Sequence, residues 1–254
     1  MKHPFRILQT GRNDAFFNMG LDEAILGSVA DSAALPTLRL YGWNPSAISL
    51  GYFQGITDEI DIEACERQNV DIVRRITGGG AVFHDAEVTY SIVIPEGHPL
   101  APSSILDSYS VICSGIIQGL RELGIEAEFA PINDIVSGGR KISGNAQTRK
   151  RGCILQHGTV LLKVDVDKMF TLLKVPKEKA LGKMIEDVKA RVTSVSAILR
   201  GEISFEEAAK SMRTGFLRAL NMDAREEEPR PEELAKAAEL SVTKFRTREW
   251  IYKR

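Results

Sequence analysis

RRITGGGAVFHD, residues 74–85, reads as a strand that runs into three consecutive glycines and leaves them as a second strand. Glycine lacks a Cβ, so Gly78, Gly79 and Gly80 can take positive φ and present bare backbone N–H groups, as an anion-binding nest does. Arg75, just upstream, supplies a planar fork of donors for phosphate or carboxylate oxygens. Strand alternation puts Arg74 and Arg75 on opposite faces, so one of the two is expected to reach the site. The segment is neither a Walker A loop nor a dinucleotide fingerprint: no Gly-Lys-Thr closes it, and a strand rather than a helix follows. Taken alone, it is equally compatible with a tight hairpin carrying two solvated arginines, and it leaves the anion open.

Outward from the loop, the chain alternates strands and helices irregularly. Residues 5–9 read as a strand, and Asn13 or Asp14 caps a helix carrying Phe17, Leu21, Ala24 and Ile25 on one face. TLRLYGW (37–43) alternates as a half-buried strand does, and SAISLGYF follows the Asn44–Pro45 turn. A helical pattern over 58–68 leads to a strand at 71–77, and TYSIVIP (89–95) is a strand stopped by proline. Residues 103–123 form an amphipathic helix opened by Ser103 or Ser104 and closed by Gly124. Gly138–Gly139 turns DIVS back on RKISGNAQTR as a hairpin, and CILQHGTVLLKV (153–164) is a long β run. From about residue 165 the character is helical, over 167–174, 176–187, 204–220 and 231–240, with DAREEEPRPEE (223–233) as a charge-dense linker. This order predicts one α+β domain over residues 1–254, built on a sheet with antiparallel neighbours.

The second chemical constellation is INDIVSGGRKISGNAQTR (132–149). Lys141 sits mid-strand beside Ile142, where it can be desolvated and aimed at a phosphate or acyl carboxylate. Asp134 lies across the hairpin, placed to hold Mg²⁺ or orient the lysine, although an exposed Lys–Asp cross-strand pair satisfies the same pattern. His157, in LQHGT, and His84 read as core histidines or substrate contacts. No Ser–His–Asp arrangement or metal-ligand cluster is visible in the sequence.

Composition sets bounds. With 43% hydrophobic and 26% charged residues in 254, the chain can bury a core, and a net charge of −1 gives no overall attraction to nucleic acid or membrane surfaces. No apolar run is long enough to span a bilayer, and no apolar leader opens the sequence. Three dispersed cysteines, Cys65, Cys113 and Cys153, fit a reduced cytoplasmic protein.

Six segments in register, FNMGLDEAIL (17–26), LRLYGWNPSAISLGYFQ (38–54), RRITGGGAVFHD, INDIV (132–136), GRKISGNAQTR (139–149) and QHGTVLL (156–162), resemble the lipoate–protein ligase A family of the biotin/lipoate ligase and octanoyltransferase superfamily. TREWIYKR (247–254) extends the likeness loosely, so it covers nearly the whole chain. The resemblance implies the family's curved, mixed, largely antiparallel sheet flanked by helices, of the class II synthetase-like kind. It implies ATP-dependent activation of lipoate to lipoyl-AMP and transfer to a lysine of a lipoyl carrier domain, of the 2-oxoacid dehydrogenase E2 or glycine cleavage H type. Arg75, Thr77, Gly78, Gly79 and the stretch Gly80, Ala81, Val82, Phe83 would then contact the nucleotide or acyl-adenylate. Lys141 would touch the carboxyl end and the α-phosphate, Asn133 and Asp134 would serve the phosphates and Mg²⁺, and His84 and His157 would border the acyl tunnel.

The same superfamily contains transferases that carry octanoyl or lipoyl groups between carrier proteins through a cysteine thioester. One such group shares YGWNP and the GRK strand but places its cysteine in the loop before the lysine strand, where residues 124–138 here hold none. Another places it after the His-Gly strand, where this chain has KVPKEK (174–179). Cys65 and Cys113 fall on helices, and Cys153 matches neither position, so all three read as structural. Ligation is therefore the expectation, with acyl transfer between carriers, or transfer from preformed lipoyl-AMP alone, as alternatives. A chain ending at Arg254 is also expected to lack the small C-terminal domain of many such ligases, so a separate accessory subunit is expected to complete adenylate formation.

Overall fold

The computed structural model describes residues 2–174 and 181–254. Its strands are β1 (His3–Asn13), β2 (Thr37–Trp43), β3 (Ala47–Leu50), β4 (Asp71–Arg74), β5 (Val82–His84), β6 (Glu87–Pro95), β7 (Glu128–Ala130), β8 (Asp134–Ser137), β9 (Arg140–Lys150), β10 (Cys153–Leu161) and β11 (Met222–Glu227). Its α-helices are α1 (Ala15–Ala30), α2 (Ile56–Glu59), α3 (Ile62–Arg67), α4 (Ile105–Glu122), α5 (Val166–Leu172), α6 (Leu181–Arg191), α7 (Val195–Leu199), α8 (Phe205–Ala219), α9 (Pro231–Leu240) and α10 (Arg248–Ile251). Part of the helix expected over 176–187, and most of KVPKEK, lie outside the described residues.

An eight-stranded sheet runs β11-β1-β2-β6-β10-β9-β8-β7, and a three-stranded sheet runs β4-β3-β5. In the large sheet β1 is parallel to both β2 and β11, and the remaining neighbours are antiparallel. This is the mixed, helix-flanked α+β architecture that the element order implied.

Alternation along β1 explains the two layers. Phe5 and Ile7 face one side, against Ile112, Ile116 and Leu120 of α4 and Met212 and Phe216 of α8; Leu8 faces the other, against Leu21, Ile25 and Val29 of α1. α4 and α8 approach closely enough that a Cβ on Gly215 would lie 2.2 Å from the Gly119 nitrogen, so that crossing requires glycine. Asp14 caps α1 by accepting from the Phe17 N–H, and Ser104 caps α4 through the Asp107 N–H.

Three expectations are corrected. The 223–233 linker is instead an edge strand, β11, running into α9; its acidic residues are the exposed face of a strand held by parallel pairing with β1. The half-buried reading of 37–43 fails because β2 is central and covered on both faces, and all seven residues are buried. Its polar positions are matched internally: the Arg39 guanidinium, fully buried, bonds Asp22 Oδ1 at 2.7 Å, the Asn18 side chain at 2.6 Å and Thr10 Oγ1 at 2.9 Å. The helix expected over 58–68 is broken into α2 and α3, because Asp61 leaves helical geometry to cap α3 through the Ala64 N–H. No helix among the described residues is long and apolar enough to cross a membrane.

Candidate active site

The site forms where the small sheet leans on the large one. An open cavity of about 160 Å³ is lined by Tyr41 and Trp43 of β2, Ser49 of β3, Arg75, Gly79, Gly80 and Ala81 of the loop, and Val82 and His84 of β5. Thr89 of β6, Asn133, Lys141 and Gly144 to Ala146 of β9, and His157 to Thr159 of β10 complete it, with Met19 of α1. A second, mainly apolar cavity of about 240 Å³, lined by Phe83, Glu87, Leu161, Val166 and Met169, adjoins the first at Lys141 and Gly144.

The sequence-derived residues therefore converge. Lys141 faces the triglycine loop across one cavity, as do Arg75, Asn133 and both histidines; Phe83 lines the second cavity only. Thr77 and Gly78 are not on the cavity wall, and Thr77 is fully buried behind it. Lys141 Nζ is paired with Asp134 Oδ1 at 2.7 Å. Gly144 makes room for this lysine, since a Cβ there would sit 2.9 Å from both Cε and Nζ. No group of three or more His, Cys, Asp or Glu side chains that could hold a metal occurs among the described residues. A Mg²⁺ there would take carboxylate oxygen from Asp134 and fill its other positions with water or substrate oxygens.

The glycine loop is braced from inside. Only Gly79 of the three glycines takes a positive φ, +94°, correcting the expectation for Gly78 and Gly80. A Cβ on Gly51 would fall 1.9 Å from the Gly79 carbonyl oxygen, so the β3 end and the loop touch backbone to backbone. Neither arginine is solvated. Arg74 is fully buried and donates to the carbonyls of Gly51, Gln54 and Ile251 at 2.9, 2.7 and 2.7 Å. Arg75 spends all five N–H groups on the protein: Nε on Thr77 Oγ1 at 3.1 Å, Nη1 on the Ser49 carbonyl and Oγ at 2.8 and 3.0 Å, and Nη2 on the Gly78 and Gly80 carbonyls, both at 2.7 Å. Burial lowers its pKa to about 10, which leaves it charged at neutral pH. Arg75 thus shapes the loop by tying down its carbonyls. The loop N–H groups from Gly78 to Ala81 donate to no acceptor among the described residues, and those of the cavity-lining Gly79, Gly80 and Ala81 are left for a ligand.

Sequence reasoning missed two buried relays that meet at Arg75. The Asp22 carboxylate accepts from His157 Nδ1–H at 3.2 Å, so in the neutral ring Nε2 accepts from the Thr77 hydroxyl at 2.7 Å, and Thr77 Oγ1 accepts from Arg75 Nε. Burial lowers the His157 pKa and so favours the neutral ring. Burial pushes Asp22 upward, but hydrogen bonds and charge from His157 and Arg39 outweigh it and hold the carboxyl below its usual value. In the second relay Trp43 Nε1–H donates to Thr89 Oγ1 at 2.7 Å, so the Thr89 proton goes to Glu87 Oε1 at 2.6 Å. His84 Nδ1–H donates to the same oxygen at 2.7 Å, and His84 Nε2 meets Ser49 Oγ at 2.7 Å. The only sequence signal for either was the His84–Glu87 spacing; the partners lie 35 to 135 positions apart in the chain.

The cysteines stand elsewhere. Cys65, Cys113 and Cys153 are buried in three separate hydrophobic clusters and none lines either cavity. Burial raises all three thiols, Cys65 and Cys113 to about 12.

Residues 14–217 match the lipoyl protein ligase A/B catalytic domain. The chain belongs to that family. It is similar to octanoyltransferase LipM of Bacillus subtilis (strain 168), 38% identical over 276 aligned positions that cover 100% of this chain and 99% of the relative. LipM of Staphylococcus aureus (strain NCTC 8325 / PS 47) is 34% identical over 277 positions, covering 100% of both chains. Among solved structures, the bi-partite lipoate protein ligase of Thermoplasma acidophilum superposes with a TM-score of 0.85 at 29% identity, covering 99% of this chain and 96% of that one. A lipoate-protein ligase A bound with ATP gives 0.83 at 28% identity, covering 99% of each. The chain is thus an enzyme of the lipoate ligase and octanoyltransferase group. The expectation of ATP-dependent ligation is corrected, because full-length curated relatives at 34–38% identity are octanoyltransferases.

Proposed function

We propose that this enzyme transfers a medium-chain acyl group, of the octanoyl or lipoyl kind, from a carrier thioester to the ε-amine of a lysine on a lipoyl-type carrier domain. The observation that carries the reading is the Lys141 ammonium facing the unpaired N–H groups of the glycine loop across one cavity. A thioester carbonyl seated between them would gain charge on its oxygen as a nucleophile attacks, and donors already fixed in place favour that state over the ground state. The two cavities meet beside Lys141, so the acyl chain can occupy the apolar one while the amine approaches through the other.

The net reaction breaks the carbonyl C–S bond, forms a C–N bond and returns the amine proton to the departing thiolate, with no nucleotide consumed. The test is to incubate the protein with an octanoyl-loaded carrier and a lipoyl-type domain, and to follow amide formation by mass, with and without ATP. Amide formation independent of ATP is the expected result; a strict requirement for ATP and free acid would refute the reading.

A further inference from the structure

Acyl transfer between two carriers divides into easier steps when the enzyme first takes the acyl group itself, and a thiolate is the usual vehicle. The three thiols here are buried away from both cavities and held protonated. The cavity wall does hold one hydroxyl in a hydroxyl–imidazole–carboxylate chain, Ser49–His84–Glu87, with both links at 2.7 Å. We propose that Ser49 is the nucleophile and that the acyl group rests on its Oγ as an oxygen ester between the two half-reactions; the inference builds on the transfer reading above.

The proton inventory fixes the direction of this chain. Glu87 Oε1 accepts from the Thr89 hydroxyl and from His84 Nδ1–H, while Thr89 Oγ1 accepts from Trp43 Nε1–H. That sets the tautomer: Nε2 carries the lone pair and points at Ser49. With Nε2 unprotonated, the 2.7 Å contact takes the serine hydrogen, while Ser49 Oγ accepts from Arg75 Nη1 at 3.0 Å. The same guanidinium stabilises the alkoxide character that Ser49 gains as it attacks. Glu87 Oε2 is buried with no hydrogen-bond partner, so Oε1 makes all of this side chain's polar contacts, that to His84 Nδ1 among them. Trp43 stacks on His84 with centroids 4.0 Å apart and planes 17° apart, which keeps the ring in register. The Thr77–His157–Asp22 chain has the same atoms in the same order, but Thr77 is off the cavity wall and cannot meet a substrate.

In the first step the Ser49 Oγ–C bond forms and the C–S bond breaks, while the serine proton moves to His84 Nε2 and then to the departing thiolate. In the second the acceptor amine attacks the ester, the C–O bond breaks, and the amine proton returns through His84 to Ser49 Oγ. Lys141 and the loop N–H groups face the carbonyl oxygen in both.

The test needs no variant to begin. Mixed with octanoyl-loaded carrier and no acceptor, the wild-type chain gains the mass of one octanoyl group. Fragmentation places the group on Ser49, and it survives the neutral hydroxylamine that strips thioesters. Ser49→Ala loses at least about 100-fold in transfer while still unfolding cooperatively, its midpoint lowered by the bonds that Arg75 and His84 lose. Ser49→Cys carries the group in hydroxylamine-labile form, and a variant with the three buried cysteines replaced by alanine still carries it on Ser49. An adduct on any cysteine, no adduct during productive turnover, or a Ser49→Ala variant of normal rate would overturn the proposal while leaving acyl transfer standing. A wild-type chain that forms no amide from the thioester donor would overturn the transfer reading, and this proposal with it.

Discussion

Asp22→Asn tests the internal scaffold of the site. The Asp22 carboxylate is 2% exposed and accepts four hydrogen bonds: Oδ1 from Arg39 Nη1 at 2.7 Å and Ser91 at 2.8 Å, Oδ2 from the Tyr41 hydroxyl at 2.9 Å and His157 Nδ1 at 3.2 Å. An amide can accept on one side only, so its NH₂ would face either Arg39 and Ser91 or Tyr41 and His157, and either pair already consists of donors. The fully buried Arg39 also loses its counter-charge. Removing one partner of a buried ion pair costs about 3–5 kcal/mol. For a chain of this size that corresponds to a fall in melting temperature of roughly 6–20 °C.

The pH dependence carries a sign that follows from the depressed carboxyl. Its folded-state pKa lies below the unfolded value, so its contribution is complete above about pH 4 and is lost as pH falls through the folded pKa. Urea unfolding of the two proteins should therefore show the full gap at pH 7 and a shrinking one in the acid range below about pH 4. A variant within about 0.5 kcal/mol of wild type at pH 7, the noise of an ordinary surface substitution, or a gap independent of pH, would refute the assignment of Asp22 as a buried, charged acceptor.

Four further outcomes follow from the same structure. Lys141→Ala should lower transfer by about 100- to 1000-fold, while its half-exposed pair with Asp134 means unfolding free energy moves by no more than about 1 kcal/mol; normal turnover would remove the ammonium from the mechanism. Gly51→Ala places a methyl 1.9 Å from the Gly79 carbonyl oxygen, so the loop must move and transfer should fall about 100-fold, measured as kcat/KM. Glu233→Ala strips the charge partner of Arg6, a pair 1% and 2% exposed, and calorimetry should register a loss of about 3–5 kcal/mol. The three thiols should resist alkylation in the folded protein at pH 8 and react together on unfolding, since burial holds Cys65 and Cys113 near 12; rapid labelling of any one under native conditions would contradict that.

Local chemistry made the loop, the Lys141 hairpin and most helices legible. Gly138 and Gly139 take φ of +55° and +72° in the turn between β8 and β9, and caps such as Asp14 and Ser104 sit where capping residues were read. Parallel pairing was not legible. β11 joins β1 across more than 200 positions, from His3↔Met222 to Leu8↔Glu227, and nothing in an acidic stretch announces a distant strand that will accept it. The relays were hidden for the same reason. A lone serine, threonine or histidine is chemically neutral in sequence, and acquires a role only when the small sheet brings β3 against β5 so that Ser49 lies opposite Val82, two residues before His84.

The charge balance of the cavity bears on which substrate it suits. Two cations line it, Arg75 and Lys141. Arg75 has no donor left to offer, and Lys141 is already matched by Asp134. What remains for a ligand is the rest of the Lys141 ammonium, whose one partner is Asp134, and a set of uncommitted backbone N–H groups on a loop held by the guanidinium behind it. Such a nest, with a lysine beside it, can hold a resident anion. It is well suited to a neutral carbonyl that becomes an oxyanion only while bonds are changing, since fixed dipoles then act without reorganising. Charge-removing Asp134→Asn isolates this effect: freeing the Lys141 ammonium should tighten binding of free octanoate while leaving KM for the neutral thioester within about 3-fold, because only the former carries a full charge in its ground state. Equal tightening of both ligands would show that the lysine reads the acyl chain's position rather than its charge.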